Sequence, residues 1–178
     1  MKPFVLLLVL CALSNSNAVA QDPIVNTKRA VGIDNTYTVS RGATTFLVKN
    51  EKNKLGAQPT FPKSLGGGDI PWVIMYRTTK LDKGKLLANI SAVFSSTRLR
   101  EMKDEKLILM LYFSDAGDLL EVTFGIFPES KITVKEVNGI ENRLKKYLKL
   151  EILTDDMKGS SFLPYSNIYY FRDLPETK

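Results

Sequence analysis

The side chains best placed to do chemistry in this sequence are acids. The stretch YFSDAGDLLEVTFGIF (residues 112–127) gathers Asp115, Asp118 and Glu121 within seven positions, and Asp69 follows a glycine triplet further upstream. Carboxylates alone can run glycoside hydrolysis, which needs only one acid and one base or nucleophile. Asp69, Asp118 and Glu121 are therefore the candidate members of a carboxylate pair. The same acids fit calcium poorly, since a calcium loop alternates oxygen ligands over about twelve residues and ends on a bidentate Glu. Asp115-Ala116-Gly117-Asp118 has a simpler reading as a turn. Aspartate hydrogen-bonds its own backbone there, and glycine tolerates positive φ.

Other chemistries are excluded by composition. The chain has no histidine and a single cysteine, Cys11, which removes Ser-His-Asp and Cys-His nucleophiles. A zinc site of the usual sulfur and nitrogen ligands goes as well, as does His- or Cys-ligated haem. Neither a Ser-x-x-Lys dyad nor a G-x-S-x-G elbow occurs. Leu65-Gly66-Gly67-Gly68-Asp69 lacks the Lys-Ser/Thr of a phosphate loop and leads into Pro71, so it reads as a flexible connection. No cofactor and no metal is implied.

The elements that would position these residues follow from periodicity. In residues 106–127, placing Ser114 opposite Leu119 pairs Phe113 with Leu120, Leu111 with Val122, Leu109 with Phe124 and Leu107 with Ile126, all on one face. The other face pairs Tyr112 with Glu121, Met110 with Thr123 and Ile108 with Gly125. A one-residue slip would set core residues against polar ones, so this register is strongly specified. Downstream, Thr133 and Glu136 have the spacing of a capping box. Val137, Ile140, Leu144, Tyr147 and Leu148 recur on one helical face, with Glu141, Asn142, Arg143, Lys145 and Lys146 expected mostly outside.

Residues 37–49 (YTVSRGATTFLVK) read as one strand, or two broken near Gly42, and residues 72–79 (WVIMYRTT) as another. Residues 85–94 carry apolar side chains at helical spacing, and a hydroxyl among Ser95, Ser96 and Thr97 is suited to cap a short second helix through Met102. Residues 150–153 and 167–172 read as further strands, with a polar loop at 155–165. The long connection 50–71 is a place to look for partner contacts.

The first twenty residues, MKPFVLLLVLCALSNSNAVA, have the charged start, short apolar run and Ala-Val-Ala end of a signal peptide. The apolar run is too short to span a bilayer. An exported protein of the periplasm or the medium is expected, without cysteine in residues 21–178. Residues 21–35 read as a flexible leader, and 36–174 as a single domain. The excess of 25 Lys and Arg over 19 Asp and Glu is scattered among acids, so nucleic acid is not an expected partner.

Between residues 107 and 153, the phrase LYFSDAGDLLEVTFGI followed by the helix VKEVNGIENRLKKYL resembles the C-terminal domain of TonB in its order of hairpin, helix and strand. The resemblance implies a small α+β module that contacts other proteins, partly through strand edges. The fold class expected is α+β, an antiparallel sheet packed against two or three helices. Function is expected to be non-enzymatic interaction in the bacterial cell envelope, with a carboxylate-dependent hydrolase or a carbohydrate-binding protein as the alternative. Ile108, Met110 and Tyr112 are too apolar for a fully solvated sheet face. With Trp72 they form the expected partner surface, unless another part of the chain covers them. Trp72, Tyr76, Tyr112, Tyr165, Tyr169 and Tyr170 suggest either a ligand-stacking platform or, more simply, core.

Overall fold

Alternation in residues 106–127 builds the centre of the sheet. In the computed structural model, which describes residues 22–55, 59–60 and 72–176, β5 (Lys106–Phe113) and β6 (Leu119–Ile126) pair in the expected register from Leu107↔Ile126 to Tyr112↔Glu121. A β-bulge then sets Phe113 opposite Leu119 rather than Leu120. One extra residue on one strand shifts every later side chain, and Leu120 is turned outward, 39% exposed. The signal-peptide segment and Gly66, Gly67, Gly68 and Asp69 lie outside the described residues.

The sheet has six antiparallel strands in the order β1-β2-β3-β6-β5-β8. Its outer members are β1 (Arg29–Val31), β2 (Thr36–Arg41), β3 (Phe46–Asn50) and β8 (Leu163–Tyr170). β2 and β3 form a hairpin, with the break near Gly42. Among the described residues four helices accompany the sheet: α1 (Trp72–Thr78), α2 (Lys83–Ser91), α3 (Ser96–Glu101) and α4 (Val134–Tyr147). The fold is α+β. Val48, Leu109, Leu111 and Phe124 of the sheet share one core with Leu86 and Ile90 of α2, Leu99 of α3, and Val137, Ile140 and Leu144 of α4. Two further strands, β4 (Thr79–Leu81) and β7 (Leu150–Ile152), pair only with each other.

Local signals explain most boundaries. Asp82 and Ser95 each cap a helix by accepting a backbone N–H, and Thr133 and Glu136 complete the capping box of α4. Three expectations are corrected. Residues 72–78 are a helix rather than a strand, and only Thr79 is extended, as the start of β4: Met75 and Thr78 are buried while Tyr76 and Arg77 are exposed, a helical spacing within a run too short for periodicity to decide. Residues 22–35 are not a loose arm, because Ile24 and Val25 are buried and β1 pairs with β2. Glu141 is not on the outer face of α4 but wholly buried.

Candidate functional site

Helices cover one face of the sheet, and the opposite face carries Ile108, Met110 and Tyr112. Strand pairing lines up its rows. Leu47, Gly125, Ile108 and Ile168 form one row across β3, β6, β5 and β8. Lys49, Thr123, Met110 and Ser166 form the next, and Glu121, Tyr112 and Pro164 the third. A Cβ on Gly125 would lie 2.9 Å from Ile108 Cβ. The missing side chain thus lets Ile108 pack against the neighbouring strand and flattens the row.

Among the described residues, the chain covers only one end of this face. After β3, the backbone N–H groups of Lys54 and Leu55 donate to the Glu121 carboxylate, and Asn53 Nδ2 donates to the Val122 carbonyl at 2.9 Å. Thr60 then joins Ser161 through two hydrogen bonds of 2.8 and 2.9 Å, and Phe162 meets the Tyr112 ring edge-on at 5.5 Å. Glu121 therefore lies beneath residues 53–55 and Tyr112 beside Phe162, and burial above all raises the Tyr112 phenol from its ordinary value. The other end is open: Leu47 is 38%, Ile168 42% and Tyr170 39% exposed, beside the half-buried Ile108 and Met110. Two cations sit over aromatic rings at this end, Lys106 over Phe127 at 4.0 Å and Arg172 by Tyr170 at 4.9 Å.

The sheet edges are blunted. β1 has three residues, and the Arg29 N–H is taken by Thr27 Oγ1 at 3.2 Å. On β8, Pro164 has no N–H to offer, and Asn167 Oδ1 accepts the Ile168 N–H at 2.8 Å. Such devices discourage strand addition, so the open surface is a face and not an edge.

The candidate acids among the described residues, Asp115, Asp118 and Glu121, have internal partners. Asp115 Oδ2 accepts the Gly159 N–H at 2.7 Å, and Asp118 pairs with Lys149 at 2.7 Å. Gly117 adopts φ +84°, and its carbonyl accepts the Leu150 N–H at 2.9 Å. The tetrad is a turn, as its residue types suggest, and it is also the point where the hairpin docks on the α4–β7 joint. Glu121 clamps Lys54 and Leu55. Glu141, which periodicity placed outside, accepts from Tyr37 Oη at 2.6 Å, from Asn50 Nδ2 at 3.0 and 3.1 Å, and from Lys145 Nζ at 2.7 Å. Among the described residues no three acids, histidines or cysteines are grouped to hold a metal ion.

Of the four residues expected to form one surface, Ile108, Met110 and Tyr112 do share a face. Trp72 begins α1, whose Tyr76 contacts Tyr165 on the helix-covered side, at 5.3 Å and edge-on. Leu47 and Ile168 lie outside the expected surface, because which strands flank a hairpin is not written in its own alternation; Tyr170, expected in a stacking platform or in the core, stands exposed at the open end. Tyr165 and Tyr169 belong to the core side instead of a stacking platform, and burial pushes the Tyr169 phenol up to about 12.

The class defined here is an α+β protein with a helix-covered sheet face and a partly open one. No protein-family model matches the sequence, and no curated protein matches it significantly. Among solved structures, the fold is similar to that of a DUF5043 family protein from Bacteroides uniformis. The TM-score is 0.66, with 16% sequence identity over 84% of this chain and 88% of that one. At that identity the likeness speaks for the fold alone.

Proposed function

We propose that this is an exported interaction module of the bacterial cell envelope, which binds another protein through the open end of its outer sheet face. The observation that carries the reading is the row Leu47–Gly125–Ile108–Ile168, apolar across four strands and exposed at both ends. Solvent gains nothing from such a row, and burying it against a partner stabilises the complex by about 25 cal/mol per Å2 of apolar surface. Lys106 and Arg172 stand over aromatic rings beside it, a mixture common at protein interfaces. Export rests on the signal-like residues 1–20. The blunted edges favour contact through the face over strand addition.

Photo-crosslinking in intact host cells tests this. A photoreactive side chain at Leu47 or Ile168 should give a discrete protein adduct, and one at Leu153, exposed but off this face, should not. The adduct should vanish when Ile108 is replaced by Asp. Equal labelling from all three positions would refute the face as the contact surface. Binding to a glycan array that is lost with Glu121→Gln would instead favour a carbohydrate ligand.

A further inference from the structure

A second concave surface lies on the helical side. A groove of about 860 Å3 runs along α4, between the α2–α3 joint and the β1–β2 turn. It follows α4 from Thr133 to Arg143, about 15 Å of helix, or roughly four or five residues of extended chain.

Its lining has an apolar middle and cationic ends. Val93 and Phe94 form the apolar part. They come close to α4 because Gly139 has no side chain: a Cβ there would stand 2.9 Å from Val93 Cγ1. The opposite rim is the β1–β2 turn, fixed to α4 by amide contacts. Asn35 Nδ2 donates to Asn138 Oδ1 at 3.3 Å and to Asn142 Oδ1 at 3.2 Å, and Asn142 Nδ2 donates to Asp34 Oδ2 at 2.7 Å. That clasp holds Ile33, 78% exposed, at the mouth of the groove. A single exposed isoleucine needs no explanation, but this one is held rigidly beside an apolar floor.

The charges in the groove are unequal in their freedom. Arg98 is neutralised by Glu136 at 2.7 Å, and Asp34 is occupied by Asn142. Lys135 and Arg143 make no ion pair among the described residues, and the Arg143 guanidinium rests 5.4 Å from the Tyr147 ring, a contact that leaves its charge without an anion. Arg143 has a buried Nε with no hydrogen-bond partner in the described structure, an exception of the kind that calls for an account. Eight positions separate Lys135 from Arg143, about 12 Å along the helix.

We propose that this groove binds an acidic peptide segment, with an apolar side chain on Val93 and Phe94 under Ile33 and carboxylates at Lys135 and Arg143. Two cations so far apart, with an apolar floor between them, match an anion–apolar–anion ligand. A fatty acid carries only one carboxylate and would leave one of them unmatched. The site is separate from the outer sheet face, and its existence does not rest on the function proposed for that face.

The test uses the chain from residue 21 to 178 and a fluorescein-labelled pentapeptide with glutamate at both ends and leucine between. Its twin has glutamine at the ends. Anisotropy at low salt should give the glutamate peptide at least about tenfold tighter binding than the twin, weakening as salt is added. Lys135→Glu combined with Arg143→Glu should reduce binding at least about tenfold with the melting temperature held. Ile168→Asp should leave it unchanged, which separates this site from the sheet face. Ile33→Ser, at an exposed position, should weaken binding, and the amide resonances of Val93 and Asn138 should shift on titration of the wild type. Undetectable binding, equal affinity for both peptides, loss in Ile168→Asp instead, or preferential binding of dodecanoate would each overturn the proposal.

Discussion

Glu141 offers the sharpest check on how the fold is held, because sequence periodicity and structure place it on opposite faces of α4. Its carboxylate is fully buried and takes hydrogen bonds from Tyr37, Asn50 and Lys145. Replacement by Gln preserves volume but removes the charge, and it turns an NH2 group towards donors that need an acceptor. A buried polar group left without its partner costs about 1–3 kcal/mol, more when charge is involved. One or two donors are orphaned by the swap, so Glu141→Gln should cost about 2–4 kcal/mol.

Urea unfolding reads this directly. With a slope of about 2 kcal/mol per M, typical of small proteins, the midpoint should fall by about 1–2 M. A cycle with Tyr37→Phe isolates the 2.6 Å bond, whose coupling should be about 1.5–3 kcal/mol, the range for hydrogen bonds to charged groups. A Glu141→Gln variant within about 0.5 kcal/mol of the wild type, or strict additivity in the cycle, would refute the placement of Glu141 in the core.

Two more predictions concern the hairpin and alkaline pH. Gly117→Ala places a side chain at φ +84° and 2.0 Å from the Leu150 carbonyl. It should destabilise by at least about 2 kcal/mol, while Asp118→Asn, which breaks only an exposed pair with Lys149, should cost under about 1 kcal/mol; comparable melting temperatures for the two would contradict the docking geometry. Tyr37 is held protonated above its ordinary range, by burial first and then by the hydrogen bond to Glu141 and that residue's charge. A phenol with a raised folded pKa contributes stability that is complete below pH 10 and is lost as pH rises through the folded value. Wild-type stability should therefore decline above pH 10 by up to about 1.4 kcal/mol per pH unit for this group, and Tyr37→Phe should flatten that decline; an unchanged alkaline limb would contradict the burial of the phenol.

What could be read from the sequence was local. The β5–β6 register from Leu107↔Ile126 to Tyr112↔Glu121 was legible because Leu107, Leu109, Leu111, Val122, Phe124 and Ile126 alternate on one face, and a slip would have buried Glu121 and Thr123 in the core. The α4 cap was legible because Thr133 and Glu136 stand three residues apart. The bulge that turns Leu120 outward was not, since the alternation continues unbroken through Phe113 and Leu120. Residues 72–79 misled because Trp, Val, Ile and Tyr favour strands, whereas Met75 and Thr78 are buried at helical spacing. Of the candidate surface, Ile108, Met110 and Tyr112 were visible through alternation. Leu47 and Ile168 join them only through β3 and β8, pairings that no local pattern encodes. Glu141 misled for a general reason: a charged residue is read as outside unless its partners are known, and Tyr37 and Asn50 are 104 and 91 residues away.

The position of the Glu141 network has a consequence for testing function. Asn50 ends β3, where residues 51–55 lead towards Glu121 on the outer sheet face, and it donates to Glu141 while accepting the Lys52 N–H at 2.9 Å. One turn along α4, Asn138 and Asn142 hold the β1–β2 turn that rims the groove. Glu141 thus sits beneath the supports of both surfaces, and a substitution there would disturb both together. Loss of binding in a Glu141 variant could not be assigned to either. Ile168 and Lys135 lie outside the network, on opposite sides of the sheet, and neither bonds to a residue that Glu141 orients. Only substitutions of that peripheral kind can separate the sheet face from the groove.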